Sequence, residues 1–204
     1  MDGLGSRWVR FIKQYGPISR NDNMYDEQIR RSARRYEVDP LDFVHPLEVE
    51  LFASVSRGVA KARTVILTGT AGDGKSRLCG RLWTELGGDV GEWTANEIYQ
   101  EIVADVGGRA RTVGIVRDLT ALPTSGTYGR WAGKHALLEG INRSFFEPDP
   151  DNIFIIAAND GQLLDTWRRA AGVPLSSEGH ALLEARLVDA KPASQGEVAF
   201  FNLS

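Results

Sequence analysis

Thr64-Val65-Ile66-Leu67-Thr68-Gly69-Thr70-Ala71-Gly72-Asp73-Gly74-Lys75-Ser76 is the stretch from which the fold is read. Its first five residues form a short β-branched, apolar run, suited to a strand buried on both faces within a parallel sheet. Its last eight fit G-x-x-x-x-G-K-[ST], the pattern of a phosphate-cradling loop between a strand and a helix. Glycines in such a loop permit positive φ, so successive N–H groups can curl around phosphate oxygens. The helix expected to begin there adds unpaired N–H groups and a dipole that both favour an anion. Leu78, Leu82 and Leu86 share one face of that helix, and Gly87-Gly88 stops it. A Gly-rich turn that binds nothing is the competing reading. The strand directly before the loop and the amphipathic helix directly after it weigh against that reading.

The same chemistry assigns roles around the loop. Gly69, Thr70, Ala71, Gly72, Asp73, Gly74, Lys75, Ser76 and the adjoining Arg77 form the candidate nucleotide-binding segment. Lys75 can reach the β- and γ-phosphates, and the Ser76 hydroxyl can ligate Mg²⁺. Mg²⁺ also needs a carboxylate at the tip of a neighbouring strand, and Asp118 closes the run Thr112-Val113-Gly114-Ile115-Val116. An ordinary turn residue is the alternative for Asp118. Leu119 follows it, where an acidic residue that polarises water is usual, so the expected base is missing from its place. Asn159 ends the run Ile153-Phe154-Ile155-Ile156-Ala157-Ala158, where an uncharged amide can orient water and sense a γ-phosphate, a cap or turn residue being the alternative. Asp160 could serve the displaced base role, but is expected to cap the helix beginning near Gly161.

Outward from these motifs, strands and helices alternate. A weak strand is expected over Asp89–Thr94 and a helix over Asn96–Val106, with Ile98, Ile102 and Val106 inward. Pro123–Gly129 reads as a loop. Leu137, Ile141 and Phe145 mark a helix, two more follow around Leu163–Ala171 and Glu178–Ala190, and Glu197–Leu203 reads as a last strand. Alternation at this spacing implies an α/β fold with a parallel sheet covered on both faces. Residues 47–204 make that core, opening on a helix through Leu47, Leu51, Val55 and Val59. Residues 1–46 read as a helical extension. Trp8, Val9, Phe11 and Ile12 suggest one short helix before Gly16-Pro17. Tyr25, Ile29, Ala33 and Tyr36 suggest a second, capped by Asp22 or Asn23 and ended by Asp39-Pro40.

Composition narrows the functional classes. The chain has 204 residues, a formal net charge of −3 and 42% hydrophobic residues, an ordinary globular balance. It has no apolar run of membrane-spanning length, and its first 15 residues lack the apolar stretch of a signal peptide. Its one cysteine, Cys79, excludes an internal disulfide, and none of the three histidines sits in a zinc-binding pattern. A cytoplasmic setting without membrane contact is expected. Acidic residues are in excess after residue 144, which argues against coating nucleic acid by bulk charge. Arg30, Arg31, Arg34 and Arg35 could meet DNA phosphates, but nearby acids make a solvated face the preferred reading. Arg168, Arg169 and Arg186 sit where a subunit-bridging arginine would lie in a ring, and are read as surface residues. Trp83, Trp93, Trp131 and Trp167 read as core, as does Cys79.

Taken together, Thr64–Ser76, Val113–Asp118 and Ile153–Asn159 resemble a P-loop ATPase of the AAA+ or STAND type, in the order Walker A, a degenerate Walker B and sensor 1. The resemblance implies a three-layer sandwich on a five-stranded, mainly parallel sheet in the order 5-1-4-3-2. It also implies ATP and Mg²⁺ as ligands. Leu67–Lys75 and Ala158–Leu164 further resemble the ATPase component of bacterial DNA phosphorothioation-dependent restriction systems. That narrower likeness implies nucleotide-driven work in an antiviral, multi-protein or homo-oligomeric complex, with DNA contact indirect. AAA+ proteins add a helical lid after the fifth strand, and this sequence is expected to lack one. The expectation is therefore an ATP-binding, ATP-hydrolysing domain. The alternatives are a non-catalytic nucleotide switch or scaffold, and a small-molecule kinase. GTP is disfavoured because no Asn-Lys-x-Asp base-reading segment occurs.

Overall fold

The computed structural model describes residues 3–13, 26–39, 44–56, 64–70, 72–93, 97–147, 150–189 and 198–204, with the side chains of residues 26–30 left out. It divides into two compact units, Met1–His45 and Pro46–Ser204. In the first, α1 (Leu4–Lys13) and α2 (Asp26–Tyr36) pack through Phe11, Ala33 and Val38, with Trp8 and Tyr36 at the margin. Arg7 donates to the Glu37 carboxylate at 2.5 Å across this small core. Arg31, Arg34 and Arg35 are exposed, as expected of a solvated face. The proposed breaks and caps at Gly16-Pro17, Asp22, Asn23 and Pro40 lie outside the described residues.

The second unit is an α/β layer structure. Its elements are α3 (Glu48–Ser56), β1 (Thr64–Thr68), α4 (Lys75–Glu85), β2 (Tyr99–Asp105), β3 (Ala110–Val116), the two-residue strands β4 (Thr127–Tyr128) and β5 (Trp131–Ala132), α5 (Gly133–Phe146), β6 (Asn152–Ala157), α6 (Asp160–Arg169), α7 (Ser176–Leu187) and β7 (Val198–Asn202). Five strands form one sheet in the order β2-β3-β6-β1-β7. All its pairings are parallel except β2 with β3. Alternation along β6 shows how both faces are buried. Ile153, Ile155 and Ala157 join Val65, Leu67, Leu51, Val55, Leu78 and Leu82 beneath α3 and α4. Phe154, Ile156 and Ala158 point the other way, into a core with Ile66, Leu137, Ile141, Phe145, Leu163 and Trp167 from α5 and α6. Apolar side chains on both faces are what a sheet with helices on each side requires.

One segment departs from the sequence reading. Asp89–Thr94 is not a strand: Val90, Gly91 and Glu92 lie in turns, and Thr94 lies outside the described residues. The helix expected over Asn96–Val106 is instead the edge strand β2, antiparallel to β3. The reason is the turn that follows. Gly107 and Gly108 have φ of 70° and 78°, and the Val106 N–H bonds to the Arg109 carbonyl at 2.9 Å. Two successive positive φ values make the tight hairpin turn that glycine pairs favour, and so short a connection can join only antiparallel strands. The β4–β5 hairpin begins within the 123–129 segment read as a loop and extends beyond it to Ala132. The remaining boundaries shift by a few residues, and Glu197 lies outside the described set.

Candidate functional site

Parallel pairing sends the ends of β1, β6 and β3 to one edge. Val116 is level with Ile156, and Ile156 with Ile66. The ladder runs on past the strands: the Ala158 N–H bonds to the Leu67 carbonyl at 3.1 Å, and the Leu119 N–H to the Ala157 carbonyl at 3.4 Å. Gly69, Asn159 and Asp118 therefore leave the sheet side by side, although 90 residues of chain separate the first two.

The loop between β1 and α4 has the backbone its glycines suggest. Gly72 and Gly74 have φ of 96° and 86°, and a Cβ at either would meet nothing within 4 Å. Conformation, not crowding, therefore calls for glycine at both. Gly69, at φ 132°, is crowded as well: a Cβ there would lie 2.6 Å from an Asp73 carboxylate oxygen. Gly74 caps α4 without any side-chain hydrogen bond, so no side chain caps the helix's first N–H groups. Ala71 lies outside the described residues.

Lys75 begins α4 and folds its ammonium back over the loop. Its Nζ donates to the carbonyl of Gly69 at 3.0 Å and of Thr70 at 2.5 Å. Burial pushes this ammonium below an ordinary lysine's pKa, while the carboxylates of Asp73, Asp160 and Asp118 oppose the shift. Both strand-end carboxylates thus lie within electrostatic reach of the loop cation. Ser76 and Arg77 follow on the first turn of α4, each half-buried.

Asp73 is held across the loop. Its carboxylate accepts from the Thr70 N–H, from the Thr70 hydroxyl at 3.0 Å, and from the Ser204 hydroxyl at 3.0 Å. The Thr70 N–H also meets the Ser204 oxygen at 3.2 Å. Ser204 arrives there because the Leu203 N–H bonds to the Thr68 carbonyl, which continues the β7–β1 ladder beyond Asn202. The sequence pattern gave no sign of this contact, which joins residues 131 apart.

The two other nominated residues differ in character. Asp118 is exposed, and its Oδ1 accepts from the Thr120 N–H at 2.9 Å and the Thr120 hydroxyl at 2.6 Å. This is the side-chain turn of a strand-end aspartate, and one carboxylate oxygen is committed to it. Leu119 is fully buried, so nothing at that position can polarise water. Asn159, not Asp160, occupies the cap position of α6, but its side chain makes no capping hydrogen bond. Asp160 is the first helical residue, and its Oδ1 is buried with no hydrogen-bond partner. An orphaned carboxylate oxygen facing a lysine is costly without a ligand or water to complete it. Position was the only sequence signal for it. Cys79 lies under the loop, its thiol pushed up to about 12 by burial, which makes it a packing group.

Among the described residues no cluster of three His, Cys, Asp or Glu side chains could hold a metal by itself. A Mg²⁺ ion takes one or two carboxylates, water and substrate phosphates, so Ser76 with Asp118 or Asp160 is chemically adequate only with phosphates present. Among the described helices none is long and apolar enough to cross a membrane. Comparisons with family models, curated proteins and solved structures return no match.

Proposed function

We propose that the second unit is a P-loop nucleotide-binding domain of the AAA+ or STAND kind that binds ATP with Mg²⁺ and hydrolyses it. One observation carries the reading. A Gly-rich loop with Gly72 and Gly74 at positive φ links a central strand to a helix without a side-chain cap, and Lys75 lies over it within the field of Asp118 and Asp160. The strand order β7-β1-β6-β3-β2 supports the same reading, because it sets β1 between the strand that carries Asn159 and the strand that delivers Ser204.

In this reading the loop amides and Lys75 neutralise charge on the phosphates, and the Asn159 amide orients water. Mg²⁺, held by Ser76 and Asp118, would draw charge from the phosphate oxygens. Asp160 supplies the carboxylate that Leu119 cannot, since it follows Asn159 directly and lies within the field of Lys75. A second reading has a specific ground. Leu119 is buried and one Asp118 oxygen is tied to Thr120, which favours a nucleotide switch that binds without rapid turnover. A multi-protein defence complex acting on foreign DNA is supported by the sequence resemblance alone.

Titration of ATP with Mg²⁺ into the full chain and into Lys75→Ala tests the site. The variant should bind about a hundredfold more weakly, the loss expected of a charge-assisted contact. Its circular dichroism should be unchanged. Equal affinity in the two proteins refutes the assignment. Single-turnover phosphate release then separates hydrolase from switch.

A further inference from the structure

A cavity of about 520 Å³ lies beside the loop edge, between the start of α5, the outer face of α6 and the turn after β3. Its polar lining comes from Thr120, Thr124, Lys134, His135, Gln162 and Arg169, with Leu138 and Ala170 as apolar wall. The volume is that of an ordinary small-molecule site.

Two cationic side chains, Lys134 and Arg169, line this cavity. Lys134 reaches only a backbone acceptor, the Leu119 carbonyl at 3.3 Å. Burial pushes its ammonium below an ordinary lysine's pKa. Asp118 opposes that shift and the nearby guanidinium of Arg169 adds to it. Lys134 is thus a partly desolvated cation with Asp118 as its counter-charge, and Arg169, 78% exposed, brings a second guanidinium charge to the same cavity. Asp165 also lines the cavity and meets Arg169 through Nε at 2.7 Å. That contact fixes the guanidinium plane and uses one of its five donors. The hydroxyl of Thr124 and the amide of Gln162 add neutral hydrogen-bonding groups.

From this geometry we propose that the cavity is a binding site for a small phosphate-bearing molecule, gripped between Lys134 and Arg169. Arginine offers the planar, paired donors that match phosphate oxygens, and lysine supplies a movable point charge. The site does not require the Gly69–Ser76 loop to hold nucleotide. It adjoins that loop through the Asp118–Thr120 turn and the first turn of α6, so an occupant would sit next to the strand ends.

The test is a titration of the full chain with inorganic phosphate, followed by amide NMR, which reads the two places separately. Amides of Thr120, Lys134, Gly161 and Gln162 report the cavity, and those of Gly72, Asp73, Gly74 and Lys75 report the loop. The cavity amides should shift saturably. Lys134→Gln and Arg169→Gln should each raise the midpoint about tenfold, the loss of one charge-assisted contact. Two variants guard against one failing to fold, and the amide spectrum itself shows folding. Shifts confined to the loop amides, or an unchanged midpoint in both variants, overturn the proposal. ATP titration of Lys134→Gln keeps the readings apart: retained ATP binding with lost phosphate binding at the cavity supports both, and lost ATP binding in Lys75→Ala leaves the cavity result standing.

Discussion

Asn142 holds three helices together by two hydrogen bonds, and Asn142→Ala is the sharpest test of the packing behind the site. Asn142 lies on α5, fully buried. Its Oδ1 accepts from the Trp167 indole N–H on α6 at 2.7 Å, and its Nδ2 donates to the Pro174 carbonyl, just before α7, at 2.9 Å. Trp167 is 1% exposed and stacks on Phe145 with centroids 5.8 Å apart. No space remains beside it: a Cβ on Gly179 would come within 2.6 Å of the indole nitrogen and 2.7 Å of the Asn142 oxygen. Water therefore cannot easily replace the lost amide. Truncation strands the buried indole donor, worth about 1–3 kcal/mol, while the part-buried Pro174 carbonyl can turn to water, so a loss of about 2 kcal/mol is expected. For a domain of this size that lowers Tm by roughly 4–8 °C. Urea unfolding followed by tryptophan fluorescence measures it. In a Trp167→Phe background, which has no indole N–H to strand, the cost of Asn142→Ala should fall by about 1 kcal/mol or more. A loss below about 1 kcal/mol in the wild-type background, or the same loss in both backgrounds, refutes the argument that this pair sets the pose of α6.

Two further outcomes probe the loop itself. Gly74→Ala should fold but lose about 1–2 kcal/mol, because its φ of 86° penalises a Cβ that touches nothing. Gly74→Asn should lose less, since asparagine tolerates that region better, and equal melting of all three proteins would contradict the strain argument. Asp73 gives a pH test: the Thr70 hydroxyl, foremost, and the Ser204 hydroxyl hold its carboxyl below the ordinary aspartate range against partial desolvation. A depressed carboxyl contributes stability above the unfolded pKa of about 3.9 and loses it as pH falls through the lower folded value. Asp73→Asn should thus be less stable than wild type at neutral pH, with a gap that closes below about pH 4, measured by thermal melts across the acid range. A gap that stays constant to the acid end would show that the Thr70 and Ser204 contacts do not favour the charged form.

What could be read from the sequence divides along physical lines. β1, β3 and β6 were legible because strands buried on both faces must be apolar throughout, and the loop because only glycine tolerates its backbone. β2 was misread for a reason of arithmetic. Ile98, Ile102 and Val106 are four apart, and a spacing of four satisfies a helical face and a strand face alike. Ala104, buried with Ile102 and Val106 on one face, fills the period of two, and the glycine pair after Val106 is the hairpin signal. Asp118 and Asn159 were legible as strand ends but not in their partners. The Thr120 turn decides how much of Asp118 is available, and no pattern fixes a side-chain rotamer. Asp160 was legible by position but not as a carboxylate with an unpartnered oxygen, and Lys134 was not legible as a neighbour of Arg169, because the fold alone brings α5 and α6 to one cavity.

The loop's polar groups are engaged with one another, which bears on how the proposed phosphate tail would enter. The Thr70 N–H, a donor that such a loop would offer to a phosphate oxygen, is engaged by the Asp73 carboxylate and the Ser204 oxygen. The Lys75 ammonium is engaged by two loop carbonyls. A carboxylate on the Thr70 amide occupies a donor that an anion would use, and an ammonium on the loop carbonyls is its counterpart. Binding of a phosphate tail would therefore be an exchange: Lys75 leaves neutral carbonyls for a charged oxygen, which strengthens its bonds, while Asp73 must yield Thr70 or repel the newcomer. The exchange is favourable where the Lys75 gain exceeds the Asp73 loss, and the Ser204 hydroxyl that braces Asp73 enters that balance. If the loop takes a phosphate tail as proposed, the end of β7 would be coupled to that occupancy by competition for the Asp73 carboxylate, with no movement of the sheet required.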